Sequence, residues 1–157
     1  MTEQNFTIDS EPYESSEAQN VLAEYVAELE QRFPGGFDTA RAAPPAKDAF
    51  IPPNGVFLLV RAGGRALGCG AVRRRESGIA EIRRMWISPA LRGRGVGKAL
   101  LAALEEHARE LGCTEVRLDT ASELTEARAL YAKAGYREVP AYNDNSYAAH
   151  WFAKTLG

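Results

Sequence analysis

The sequence predicts an α+β fold, a mixed central sheet of about six or seven strands flanked by about four helices. Residues 55 to 87 hold three runs of strand-like alternation separated by short glycine-containing turns. Two later stretches, near 95–111 and 122–135, repeat apolar residues at helical spacing, and each is followed at once by another strand pattern. Strands and helices are therefore mixed along one chain, with no internal repeat or low-complexity tract.

Phe6 to Asp9 reads as an opening strand. Ser16 followed by Gln19 fits a capping box, and Val21, Leu22, Tyr25, Val26 and Leu29 then share one helical face until Pro34-Gly35-Gly36 stops the helix. Residues 34 to 54 are rich in Pro and Ala and carry no clear element; a connection of that length inside a compact domain is usually functional. Strands follow at Val56 to Arg61, Ala66 to Arg73 and Ile79 to Ile87, an antiparallel meander turning at Gly63-Gly64 and Glu76-Ser77-Gly78. Gly95 to Leu111 reads as an amphipathic helix with Leu100, Leu104, His107 and Leu111 on one face, Glu105 and Glu106 on others, and Gly112 ending it. A strand at Glu115 to Asp119 leads to a helix capped by Ser122, with Ala127, Leu130, Tyr131 and Ala134 in register and Gly135 at its end. Strands near Tyr136 to Val139 and Ala149 to Lys154 close the chain around the loop Tyr142 to Ser146.

The 157 residues suit one domain, 45% hydrophobic and 25% charged, which excludes wholesale disorder. No apolar run approaches the roughly 20 residues a membrane helix needs, and the polar, acidic Met1 to Tyr13 lacks a secretory signal pattern, so a cytoplasmic protein without a membrane partner is expected. Cys69 and Cys113 are too few for a disulfide framework and read as reduced core thiols. With only His107 and His150 to join them, no metal site is expected.

Net charge is −2, yet residues 73 to 98 hold eight basic side chains against two acidic ones. A basic island on an acidic body points to one anionic ligand rather than a nucleic-acid face. Within it lies Arg92-Gly93-Arg94-Gly95-Val96-Gly97-Lys98, between a strand end and a helix start, where free backbone amides and closely approachable glycines make a phosphate cradle. A Walker loop fails because Arg92 stands where its first glycine belongs and Ala99 where Ser or Thr belongs; a dinucleotide fingerprint fails at Lys98 and Leu100.

Arg92, Gly95 and Gly97 do resemble the pyrophosphate-binding R/Q-x-x-G-x-G/A signature of the GNAT superfamily of N-acetyltransferases. Trp86-Ile87-Ser88-Pro89-Ala90-Leu91 before it is similar to that family's strand end, and Leu130-Tyr131-Ala132-Lys133-Ala134-Gly135-Tyr136 to its L-Y-x-x-x-G-F/Y segment. The resemblance covers residues 55 to 157 well and the first 54 loosely. It implies a single N-acetyltransferase domain over 1–157, with 1–54 forming the acceptor-side strand, helix and loop and 55–157 the acetyl-CoA-binding core. Acetyl-coenzyme A would lie with its pyrophosphate on the amides of Arg92, Gly93, Arg94, Gly95, Val96, Gly97 and Lys98. Its pantetheine would pair like an added strand with Met85, Trp86 and Ile87. Arg92 has two open readings, ligand contact or fixing the loop. Relatives often carry Asn where Leu124 stands, so the resemblance does not carry that residue's side-chain contact with the pantetheine arm over to this chain.

The resemblance gives Tyr131 the proton for the departing thiolate and a backbone N–H near Met85 the oxyanion. The base it implies is Glu81, which strand alternation places on one face with Arg83 and Met85 unless a bulge intervenes. Asp119, Glu76, Tyr142, His150 or a water chain are the fallbacks, while His107 reads as packing or surface. The acceptor, a small-molecule amine or amino acid, would meet the first helix, the 34–54 loop and Tyr142 to Tyr147. Tyr13, Tyr25, Phe33, Phe37, Phe50, Tyr142 and Tyr147 offer walls there, and Asp38, Asp48 and Asp144 partners for a cation. Asn143-Asp144-Asn145 also reads as plain turn chemistry. A protein or peptide N-acetyltransferase and a non-catalytic acyl-CoA sensor stay open as alternatives. Relatives are often homodimers, which makes Trp151 and Phe152 candidates for an interface.

Overall fold

The computed structural model describes residues 5–157. Its seven strands are β1 (Thr7–Ser10), β2 (Gly55–Ala62), β3 (Arg65–Glu76), β4 (Ile79–Ile87), β5 (Glu115–Thr120), β6 (Arg137–Val139) and β7 (His150–Thr155). They form one sheet in the order β1-β2-β3-β4-β5-β7-β6, antiparallel except for β4 and β5. The helices are α1 (Ser16–Arg32), α2 (Val96–Glu110) and α3 (Thr125–Lys133), with 3₁₀ turns at Thr39–Arg41 and Pro89–Leu91. Among the described residues three α-helices stand where about four were expected, and the proline-rich segment 34–54 forms none.

Alternation along the strands divides the core. Leu58, Val60, Val72, Ala80, Ile82, Val116 and Leu118 pack against Leu100, Leu101, Leu104 and Ala108 of α2. Phe57, Leu59, Cys69, Ala71 and Trp86 pack on the opposite face with Ala18, Val21 and Leu22 of α1. Both cysteines are buried and free. Among the described residues no helix is long and apolar enough to cross a membrane.

Several local expectations need correction. Ser15, not Ser16, caps α1, its hydroxyl accepting from the Ala18 amide at 3.0 Å. Ser122 does not cap α3, whose first turn follows Leu124 without a side-chain cap. Glu105 is buried on α2, accepting from the Tyr136 hydroxyl at 2.8 Å and from Lys154 at 3.1 Å. A partnered carboxylate is tolerated inside where a lone one is not. Phe152, a candidate interface residue, is buried in the chain's own core, and the Trp151 indole donates to Asn143 Oδ1 at 3.0 Å.

Two irregularities of β4 position the site. Cys69 pairs with Trp86 and Ala71 with Arg83, so β4 spends three residues on two of β3, and Arg84 at the bulge has φ +58°. The extra residue reverses the facing: Ala80 and Ile82 turn toward α2 before it, Met85 and Ile87 after it. Glu81 and Met85, expected on one face, therefore lie on opposite faces. β4 and β5 also pair only from Ile79 to Glu81, against Glu115 to Arg117. Beyond that the two strands run on unpaired, leaving an opening at their C-terminal ends.

Candidate active site

Beside that opening the backbone turns through Gly93 (φ +81°) and Gly95 (φ +75°) into the first turn of α2. An added Cβ at either would meet nothing within 4 Å, so the glycines serve backbone conformation and leave the amides approachable. A groove of about 340 Å³ runs over this turn. Met85, Trp86, Ile87, Arg92, Gly93, Gly95, Val96, Gly97 and Lys98 all line it, whereas Arg94 is exposed and does not. The Arg92 side chain fixes the loop: Nη2 donates to both Glu28 oxygens at 2.7 and 2.8 Å, and Nε to the Ile87 carbonyl at 2.9 Å. Trp86 Nε1 donates to the same Glu28 at 3.0 Å. Burial works against the charge of Glu28, but Arg92 and Trp86 outweigh it and hold the carboxyl below its usual range.

On the other side of Met85 lies a cavity of about 100 Å³. Tyr25, Leu29, Phe33, Phe37 and Tyr147 supply much of its wall, with Arg83, Arg84, Asp119 and Thr120 as polar lining. Phe33 stacks on Tyr147 at 5.2 Å between centroids and Phe37 lies 4.8 Å from the same ring. Segment 34–54 is stitched to the 143–147 loop: the Tyr147 hydroxyl accepts from the Asp38 amide at 2.7 Å, and Ser146 donates to the Arg41 carbonyl at 2.7 and 2.9 Å. Arg83 Nη2 reaches the Ala42 carbonyl at 2.6 Å. Groove and cavity share Tyr25, Leu29, Met85, Leu124, Ala127 and Tyr131, so Tyr131 stands at their junction. Its hydroxyl lies 4.0 Å from Met85 Sδ, a weak contact. Burial pushes the Tyr131 phenol well above its usual pKa, keeping the proton on.

Glu81 is fully buried and does not line the cavity. Its carboxylate pairs with Arg73 at 2.9 Å and Arg83 at 3.2 Å and accepts from the Tyr142 hydroxyl at 2.9 Å. Asn143 Nδ2 bridges it, 3.3 Å from Glu81 and 2.6 Å from Asp119. Asp119 does line the cavity, accepts also from Asn145 Nδ2 at 3.1 Å, and lies 3.9 Å from Arg83. Burial raises its pKa, with Arg83 and the Asn143 amide offsetting part of the effect. Burial opposes the charge of Arg83 in turn, yet Glu81 and Asp119 hold it protonated. Asn143 and Asn145 make the expected turn bonds as well, accepting from the Asn145 and Tyr147 amides at 3.2 and 3.0 Å. Of the other fallbacks, Glu76 is exposed, Tyr142 is bound to Glu81, and His150 pairs with Glu138 at 2.8 Å. His107 is a partly exposed partner of Glu110. Arg84 and Thr120 had no motif to mark them; only the bulge and the strand opening bring them to the cavity.

The model for the acetyltransferase (GNAT) family matches residues 22–136, most of the chain. The chain belongs to this family. The GNAT chain is 36% identical over 87 residues to an IAA acetyltransferase of Azospirillum brasilense, covering 55% of itself and 57% of that protein. It is 33% identical over 92 residues to a type 1 aminoglycoside N(6')-acetyltransferase of Stenotrophomonas maltophilia, covering 54% of itself and 60% of that protein. The matches thus span a little over half the length of these curated relatives. A Klebsiella pneumoniae crystal structure described as an acyl-CoA N-acyltransferase superposes with a TM-score of 0.78 at 31% identity, over 97% of this chain and 98% of that one. A GNAT acetyltransferase from Elizabethkingia anophelis, crystallised with acetyl-CoA bound, shares the fold with a TM-score of 0.67 at 16% identity, over 98% of this chain and 100% of that one.

Proposed function

We propose that this GNAT chain transfers an acetyl group from acetyl-coenzyme A to the nitrogen of a small primary amine. The observation that carries the reading is the junction at Tyr131 and Met85, where a groove over the glycine turn meets a cavity with aromatic walls. The groove suits a long anionic ligand: Gly93 and Gly95 leave room at the start of α2, and the end of β4 has no strand partner on the β5 side. Bound there, acetyl-coenzyme A supplies a thioester that a neutral amine attacks without an enzyme nucleophile.

Tyr131, its proton retained by burial and held by no strong acceptor, serves the departing sulfur. Asp119, rather than Glu81, takes the proton of the acceptor amine, because Asp119 lines the cavity and Glu81 is sealed beneath it by arginines. Glu81 is a positioning residue, holding Arg83 and, through Asn143, the Asp119 carboxylate. The stitching of segment 34–54 to the 143–147 loop supports a small acceptor, since a peptide needs an open groove.

Calorimetry with acetyl-coenzyme A, beside thiol release with a panel of amines, tests the reading. Tyr131→Phe is expected to lower kcat by about 10²-fold with the acetyl-coenzyme A dissociation constant nearly unchanged. An unaltered kcat removes Tyr131 from the reaction, and no acetyl-coenzyme A binding by the folded protein removes the transferase reading.

A further inference from the structure

Two buried side-chain atoms among the described residues have no hydrogen-bond partner, Arg84 Nε and Thr120 Oγ1. Buried polar atoms are nearly always satisfied, so an orphan calls for a reason. Arg84 comes from the bulge of β4 and Thr120 from the end of β5, on either side of the opening in the sheet, and both line the cavity beside Tyr131. Two unrelated elements thus leave buried polar atoms unmet in the wall of one cavity.

Arg84 is also the one arginine of the cavity without a carboxylate. Arg83 is held by Glu81 and Asp119, whereas no Asp or Glu of the described residues lies within salt-bridge distance of Arg84. Its guanidinium is 5.8 Å from the Phe50 ring, and the residue forms part of the wall between this cavity and a neighbouring one of about 390 Å³ bounded by Tyr13, Lys47 and Phe50. Tyr25 lines the same cavity; burial pushes its phenol up to about 12, against which Arg84 and Arg83 act, while Asp119 acts with burial. A positive and a negative group therefore act on one point of the cavity.

We propose that the acceptor is a free amino acid or equivalent short amino-carboxylate, its carboxylate bound by Arg84 and Thr120 and its amine directed to Asp119. The proposal deepens the transferase reading and rests on it. The unpaired guanidinium supplies charge-assisted donors to a carboxylate, and the Thr120 hydroxyl a neutral one. The amine, set apart on the Asp119 side, is left facing the Tyr131 junction. Aromatic and aliphatic lining from Leu29, Phe33, Phe37 and Tyr147 favours an apolar side chain. A singly charged carboxylate also suits this site better than a phosphate. Only one guanidinium is free, and Asp119 repels a second negative charge.

The test is thiol release from acetyl-coenzyme A with three matched sets: the proteinogenic amino acids, their primary amides, and the parent amines lacking the carboxyl group. At least one amino acid is expected to exceed its amide and its parent amine in kcat/KM by about 10²-fold, since a site built to hydrogen-bond a group discriminates strongly against its absence. Arg84→Gln is expected to collapse that ratio through KM, by about 10- to 100-fold, while calorimetry shows the same dissociation constant for acetyl-coenzyme A. Arg84→Lys should restore part of the ratio, and Thr120→Val should give a smaller loss in the same direction; a folded state is checked for each by its melting transition.

Amides or parent amines used as well as the acids would overturn the proposal and leave the transferase reading intact. So would an acid preference that survives in Arg84→Gln, or that persists with Thr120→Val if Arg84→Gln does not fold. Turnover of no member of the panel overturns it too. Binding of acetyl-coenzyme A by the parent protein then shows whether the transferase reading falls with it.

Discussion

Asp119 and Glu81 are separated by one amide group, Asn143 Nδ2, yet only Asp119 lines the cavity. Asp119 lines the cavity with a pKa above its ordinary 3.8, so kcat is expected to fall as pH drops through that raised value, and Asp119→Asn should abolish the acid limb along with most of the rate. With its folded pKa above its unfolded one, ionised Asp119 disfavours the fold, so its contribution favours folding below the unfolded value and is lost as pH rises through the folded one. Glu81→Gln should act on stability instead, costing about 3–5 kcal/mol because it leaves Arg73 and Arg83 without their buried partner. Urea titration and a kcat–pH profile of both variants separate the roles; an acid limb that moves with Glu81→Gln and not with Asp119→Asn reverses them. Tyr131 can be singled out in the sequence because its place in a helical motif is local, and the structure sets it where groove and cavity meet. It cannot rank the carboxylates, since which one faces the cavity depends on a bulge whose extra residue, Arg84, looks like any other in the run from Ile79 to Ile87.

The glycine turn and α2 act as one element, and the sequence shows this one plainly. Anion-binding turns depend on φ angles that glycine alone adopts easily, so spacing carries the geometry directly. Helix starts are less legible: Ser15 and Ser16 are both competent caps, and it is Ser15 that the turn from Pro12, closed by the Ser15 amide on the Pro12 carbonyl at 3.0 Å, sets at the cap position. Glu105 is hidden from sequence reading for a related reason, since its partners are distant in the chain, Tyr136 from the turn after α3 and Lys154 from β7. At Gly95, φ +75° holds the loop in the left-handed region, where a β-branched residue is strained although space is open around it. Gly95→Val is therefore expected to weaken acetyl-coenzyme A binding by at least about tenfold through loop distortion, with little change in the α2 packing at Leu100 and Leu104. Isothermal titration of Gly95→Val measures it. Unchanged affinity would mean that the phosphates are held elsewhere along the groove.

The groove draws its walls from α1, the end of β4, α2 and α3, and these are tied across it by charge. Glu28 of α1 holds Arg92, while Arg32 pairs with Glu126 of α3 and donates to the Glu123 carbonyl at 2.7 Å. The Arg32 contact also draws the Glu126 pKa down to about 2. A ligand lying there touches parts of the chain from Tyr25 to Tyr131 and has no counterpart in the unfolded state. Acetyl-coenzyme A at a hundredfold excess over its dissociation constant should then add about 2.7 kcal/mol to folding, which for a chain this size raises the melting temperature by about 5–10 °C. ATP and NAD, phosphate-bearing but without the pantetheine arm that the unpaired edge of β4 would receive, should give a much smaller shift. An equal shift from all three would assign the groove to phosphate alone. A shift confined to acetyl-coenzyme A and weakened in Glu28→Gln would show that the contact with Arg92 shapes the site from a helix the ligand's phosphates need not touch.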